Sequence, residues 1–211
     1  MPKGPTKRRP QTRTRLIDAA FDVFAERGFH GASIEDICDR AGFTRGAFYS
    51  NFASKDELFL GLFDMHAKQA LDRLRDIAPL EGVGDVFASA VAAAIRPSDD
   101  ERRWYLITTE FTLYAIRDPA AARILAEHEG RLRNALAERL GDLYAQAGLE
   151  PTVDLHDLAR LIVAVTEGAQ AQSYVEPDKL VPGRLEGTFL PLILRAVAAS
   201  RGEGPATDSK S

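Results

Sequence analysis

Thr44, Arg45, Tyr49, Ser50 and Asn51 crowd into eight consecutive positions together with the small residues Gly46 and Ala47. Threonine, arginine, tyrosine, serine and asparagine side chains all make phosphate or base-edge hydrogen bonds in protein–DNA complexes. Gly46 and Ala47 let a backbone approach another surface closely. Phe48 and Phe52 sit four apart, so both can anchor the opposite face of a helix in a core. Lys55 falls in the first turn of the next helix, where a cation opposes the helix dipole, and an anion such as a phosphate is its expected partner. Catalytic chemistry has no comparable cluster. The four histidines, His30, His66, His128 and His156, are never three to five apart, and there is no G-x-S-x-G, phosphate-binding glycine loop or H-E-x-x-H.

Short helices must position these residues. Ser33 followed by Asp36 forms a capping-box-like start, and Ile34, Ile37, Cys38 and Ala41 then recur at helical spacing. Gly42 can adopt the left-handed conformation that ends a helix. Phe43 follows as a plug between helices, Thr44 caps the next helix, expected over 44–52, and Ser54-x-x-Glu57 opens another. Upstream, Leu16, Ile17, Ala20, Phe21 and Phe24 make an apolar stripe on a helix over 11–27 that Gly28 closes. Helix, glycine turn and helix is the layout of a helix-turn-helix, although a helical hairpin with a polar face shares the spacing.

The run from Gly28 to Leu58, G-F-x-G-A-S-I-x-D-I-x-x-x-A-G-F-T-R-G-A-F-Y-x-N-F-x-S-K-D-E-L, resembles the DNA-binding domain of the TetR/AcrR family of transcriptional regulators. Gly42, Thr44, Arg45, Gly46, Tyr49, Phe52, Ser54 and Lys55 match that family's pattern. Phe48, Asn51 and Ala53 depart from it, and Ala53 removes one phosphate contact. The resemblance implies a dimer whose recognition helices enter successive major grooves, with half-sites about 34–36 Å apart. Arg45 is the expected base-edge contact, with Thr44, Ala47 and Ser50 beside it. Ser33, Tyr49, Asn51 and Lys55 are the expected phosphate contacts, with Arg13 and Arg15, near the start of the first helix, as further candidates for the DNA backbone.

Charge supports the same division of labour. The 211-residue chain has a net charge of −4, with 45% hydrophobic and 27% charged residues, ordinary for a globular protein. Residues 1–52 carry nine Lys/Arg against six Asp/Glu, net +3, while the remainder carries 18 against 25, net −7. Only the N-terminal part is suited to a polyanion. The basic start lacks the apolar segment of a signal peptide and no apolar run reaches about 18 residues, so a cytoplasmic location is expected. Cys38 is alone and on an inner helix face, which suits a buried structural thiol.

The rest of the chain reads as a helical body. Helices are expected over 54–77, 85–95, 101–117, 119–147, 155–175 and 185–199, with Pro191 bending the last and no strand. Leu58, Leu62 and Met65 face inward on the first of these, and Ile124, Leu125, Leu132, Leu136, Leu140, Leu143 and Tyr144 on the long fourth. The last two carry more apolar residues than one core face requires, and the resemblance makes them the dimer bundle. Trp104, Tyr105, Thr108, Phe111, Tyr114, Glu167 and Gln170 have the chemistry of a small apolar or aromatic ligand's pocket, although for any one of the aromatics filling the core is the favoured reading.

The expected architecture is all-α, with about nine helices. It comprises a basic disordered arm (1–10, with Lys7, Arg8 and Arg9 as phosphate or minor-groove contacts), a three-helix DNA-binding domain (11–53), a helical ligand-binding and dimerisation domain (54–201) and a disordered tail (202–211). The expected function is a homodimeric, sequence-specific regulator of transcription that binds an operator in double-stranded DNA. A repressor released by a small molecule is the leading form, with no cofactor, metal or membrane. A regulator of the same fold without a ligand is the alternative, and an enzyme or scaffold is the remote one.

Overall fold

The computed structural model describes residues 8–75, 85–95 and 98–200. Among them are nine helices: α1 (Arg8–Gly31), α2 (Ile34–Ala41), α3 (Arg45–Tyr49), α4 (Lys55–Arg75), α5 (Val86–Ala94), α6 (Asp99–Arg117), α7 (Pro119–Gln146), α8 (Leu155–Val175) and α9 (Arg184–Ala196). The described residues of Met1–Gln69 and Ser98–Gly130 form one compact unit, and those of Ala70–Pro97 and Arg131–Ser211 form another. The boundary falls inside α4 and inside α7.

Local capping chemistry sets most of the helix starts. The Ser33 hydroxyl accepts from Asp36 N, while Asp36 accepts from Ser33 N, a complete capping box. Thr44 accepts from Ala47 N, Ser98 from Glu101 N, and Asp118 from Ala120 N and Ala121 N. Gly42 ends α2 at φ 69°. The first helix starts at Arg8 rather than Gln11. Pro10 is accommodated there because the first turn has no helical partner for its missing N–H. The remainder of the N-terminal arm and the C-terminal tail at 201–211 lie outside the described residues.

The first unit is built on aromatic side chains. Phe24, Phe29, Phe48, Phe52, Phe59 and Phe111 are all buried, with Leu16, Ile37 and Leu58 among them. Phe59 of α4 and Phe111 of α6 stack at 3.8 Å, and Phe29 meets Phe111 edge-on at 4.9 Å. Phe43 is only half-buried and carries the Arg15 guanidinium on its ring. The second unit has a mainly aliphatic core of Phe87, Val91, Ala137, Leu140, Tyr144, Leu158, Leu190 and Leu194. Cys38 is buried, and that burial raises its thiol pKa, as for an inert structural cysteine.

Three expectations change. The chain contains a short antiparallel ribbon, β1 (Leu149–Pro151) with β2 (Ala198–Ser200), which pairs Leu149 with Ser200 and Pro151 with Ala198. It takes up residues 198–200, so α9 stops at Ala196. The third helix is one turn shorter than expected, because Ser50 and Asn51 turn out of it. Ile124 is 39% exposed rather than inward, since the two parts of α7 belong to different compact units and one apolar stripe does not serve both.

Candidate nucleic-acid interface

Burial divides α3 into two faces. Phe48 is fully buried and, with Phe52, fixes the helix on the aromatic core. Thr44, Arg45, Gly46, Tyr49 and Ser50 are exposed on the other side, and Ala47 and Asn51 are half-buried. Thr44 is occupied by its capping bond. Ser50 Oγ and Asn51 Nδ2 both donate to Ala47 O, each at 2.8 Å. These two side chains therefore close the C-terminal end of α3.

Arg45 is the projecting cation of this face. Its Nη1 donates to Glu35 Oε1 on α2, and its Nη2 donates to the Tyr49 hydroxyl at 3.3 Å. The guanidinium lies 5.8 Å from the centre of the Tyr49 ring. The tyrosine hydroxyl, and after it the glutamate charge, push the Arg45 pKa above its ordinary value. Its planar, permanently charged group is suited to a guanine edge or a phosphate.

The other expected DNA contacts are more committed to the protein itself. The Ser33 hydroxyl donates to Asp36 Oδ2 at 2.7 Å while serving as the α2 cap. Lys55 Nζ donates to Phe29 O and Ala32 O at 2.6 and 2.8 Å and sits 4.5 Å above the Phe29 ring. Burial lowers its pKa, partly offset by the neighbouring Asp56 charge. Two of its three donors are used, which leaves at most one for a phosphate. Arg15 Nη2 donates to Ala41 O at 2.9 Å, and Arg13 Nη1 to Asn51 O at 3.3 Å. Both arginines thus cap the C-terminal ends of the neighbouring helical segments.

The sequence reading missed the support behind this face. Gly28 breaks α1 at φ 73°, ψ 164°, which frees the Phe29 N–H from the helical ladder. Glu110 of α6 accepts it at 2.7 Å. Further along α6, Arg103 pairs with Asp22 of α1 at 2.7 Å, and Arg40 of α2 pairs with Glu26 at 2.6 Å. The break at Gly28 was legible in the sequence, and a freed N–H requires an acceptor. Nothing local identifies Glu110 as that acceptor.

The expected pocket residues divide between the two compact units. Phe111 is enclosed by Phe29, Phe59 and Tyr114, so it is a core residue rather than a pocket wall. Tyr114 stacks on Phe29, and its hydroxyl is 3.5 Å from Asp56 Oδ2. Trp104 is half-buried and stacked on His66 at 4.2 Å. Tyr105 is half-buried, and the Thr108 hydroxyl donates to the Trp104 carbonyl at 3.0 Å. Glu167 and Gln170 lie on α8, in the other compact unit. Among the described residues no group of three or more His, Cys, Asp or Glu side chains is arranged to hold a metal ion, and no helix is long and apolar enough to cross a membrane.

Comparison with known proteins agrees with this geometry. The transcriptional regulator UidR of Escherichia coli is 27% identical over 167 residues, 78% of this chain and 83% of its own. The transcriptional activator FasR of Mycolicibacterium smegmatis is 30% identical over 122 residues, 57% of this chain and 48% of its own. The structure of Salmonella enterica GusR superposes with a TM-score of 0.67 at 29% identity, covering 89% of this chain and 95% of that one. The fatty acid degradation regulator FadR of Bacillus halodurans shares the fold at a TM-score of 0.67 and 20% identity, covering 92% and 96%. Residues 16–62 match the model of bacterial regulatory proteins of the tetR family, and residues 86–198 match the C-terminal domain of BetI-type transcriptional repressors. With an exposed arginine-bearing α3 on a helix-turn-helix and both matches in sequence order, the chain belongs to the TetR family of DNA-binding transcriptional regulators.

Proposed function

We propose that this regulator acts as a cytoplasmic homodimer that represses transcription from a partly palindromic operator and is released by a small molecule. The observation that carries the DNA part is the division of α3, with Phe48 buried and Arg45 and Tyr49 projecting. Arg45 reads a base edge in the major groove, with Thr44, Ala47 and Ser50 alongside, Tyr49 and the remaining Lys55 donor meet phosphates, and Ser33 and Asn51 join them by exchanging their bonds to Asp36 and Ala47 O for phosphate oxygens. The exposed apolar residues Leu161 and Val175 of α8 and Phe189 and Leu192 of α9 support a two-fold helix bundle as the dimer contact. Ligand release is a population shift toward a conformation with wrongly spaced recognition helices. Trp104, Tyr105 and Thr108 are its candidate contacts in the first unit, with Glu167 and Gln170 as separate candidates in the second. The burial of Phe111 favours the second reading, a regulator without a small ligand, to the extent that the protein's own aromatics fill the body.

Binding to DNA from upstream of the protein's own gene, titrated against random DNA at two salt concentrations, tests the reading. Saturable preference for the upstream fragment at one or two dimers per site is the expected result. Equal, weak binding to both fragments at both salts would refute local regulation.

A further inference from the structure

Glu35 is out of place on a surface that meets a polyanion. It lies in the first turn of α2, next to the recognition helix, and repels phosphate. Its pair with Arg45 gives little stability in return, because the two side chains are 51% and 58% exposed and such ion pairs contribute about 0–1 kcal/mol. A cation at the start of α3 also opposes that helix's dipole, and α3 has no acidic residue in its own first turn. The carboxylate thus places a negative charge beside the exposed face of α3 while holding one particular guanidinium.

We infer that Glu35 is a positioning residue for base recognition: with the Tyr49 hydroxyl it fixes the plane of the Arg45 guanidinium, so that Arg45 discriminates between base pairs instead of pairing with whichever phosphate is nearest. The inference rests on the reading of α3 as the DNA-contacting helix. Glu35 holds Nη1 and Tyr49 holds Nη2, so the guanidinium is restrained at both ends. Each terminal nitrogen keeps a second N–H. Two N–H groups in one plane are what the O6 and N7 acceptors of guanine require. An unrestrained arginine on an exposed helix has other anionic partners within its reach, since DNA presents a charge about every 1.7 Å of helix axis. Glu35 disfavours those alternatives by charge repulsion and also holds the side chain in the productive orientation.

Selection from a randomised duplex library tests this with full-length wild type, Glu35→Gln, Tyr49→Phe, Arg45→Ala and the Glu35→Gln/Arg45→Ala double variant. The wild type is expected to enrich a motif, and Arg45→Ala to lose preference at one base pair of each half-site. Glu35→Gln should weaken preference at that same base pair by about ten-fold, in the range of couplings between contacting residues. It should also bind random duplex more tightly, and Tyr49→Phe should produce a smaller loss at the same position. In the Arg45→Ala background, Glu35→Gln should change no base preference further. An unchanged motif for Glu35→Gln would overturn the inference and leave only a helix-dipole role, visible as a small drop in melting temperature. Loss at a different base pair from Arg45→Ala would overturn it too, because Glu35 would then read a base itself. A wild type that enriches no motif would instead refute α3 as a sequence-reading helix, and the inference with it.

Discussion

The two compact units hold their cores in different ways. In the first, buried rings are surrounded by directional polar contacts: Lys55 on two carbonyls, Glu110 on the Phe29 amide, Arg103 on Asp22. In the second, the core is mainly aliphatic, and the buried Tyr144 hydroxyl donates to Leu194 O at 2.7 Å. Directional contacts define one arrangement, whereas aliphatic packing tolerates rearrangement at similar volume. Under the proposed function α3 presents one guanidinium to a base edge, and the first kind of support suits that task.

Substitutions can break or sharpen this contrast. Phe59→Ala removes the ring stacked on Phe111 and should cost about 3–5 kcal/mol by thermal or urea unfolding. Leu140→Met, a volume-conserving change in the aliphatic core, should cost under about 1.5 kcal/mol. Equal costs would remove the distinction. Glu110→Ala leaves the part-buried Phe29 N–H without its acceptor and should cost about 1–2 kcal/mol, with Glu110→Gln recovering part of the loss. Tyr144→Phe, measured the same way, should cost about 1 kcal/mol, because the aliphatic core has this directional bond to lose.

The smallest expected effect is one of pH. The Ser33 hydroxyl, followed by the Ser33 amide, lowers the Asp36 pKa below its ordinary value. A carboxylate lowered in this way contributes stability above its unfolded value of about 3.9, and that stability disappears as the pH falls through the lower folded value. Acid melts of the wild type should therefore show a loss of stability across that interval, and Asp36→Asn should flatten it. An identical pH profile for the variant would separate the capping box from acid stability.

Features fixed by neighbours in the chain were legible in the sequence. The caps at Ser33 and Thr44 and the left-handed Gly42 follow from side chains within three residues of the backbone they satisfy. So did the buried Phe48 and the exposed Arg45, since the period of a helix assigns faces directly. Contacts between distant residues were not legible. The ribbon joins two three-residue segments about fifty positions apart, and neither is long enough to show alternation. Lys55 was expected to face an anion because it opposes a helix dipole, but two carbonyls of the α1–α2 turn meet it first. Glu35 and Glu110 are not singled out by the sequence, because nothing near them in the chain shows what they hold.

Gly28 and Glu110 have a joint consequence for how this surface can change over generations. A side chain at position 28 would require the left-handed region, at φ +73°, and its first carbon would lie 2.6 Å from a Glu110 oxygen. Replacing Gly28 first therefore meets two obstacles at once. Shortening Glu110 first removes one of them and costs a single hydrogen bond. The φ of +73° disfavours a side chain at 28 whatever residue 110 is, whereas the flexible Glu110 carboxylate can swing away from position 28 at the cost of its bond to the Phe29 amide. The glycine is therefore the fixed member of the pair, and the acid is the one that sequence change can more readily replace.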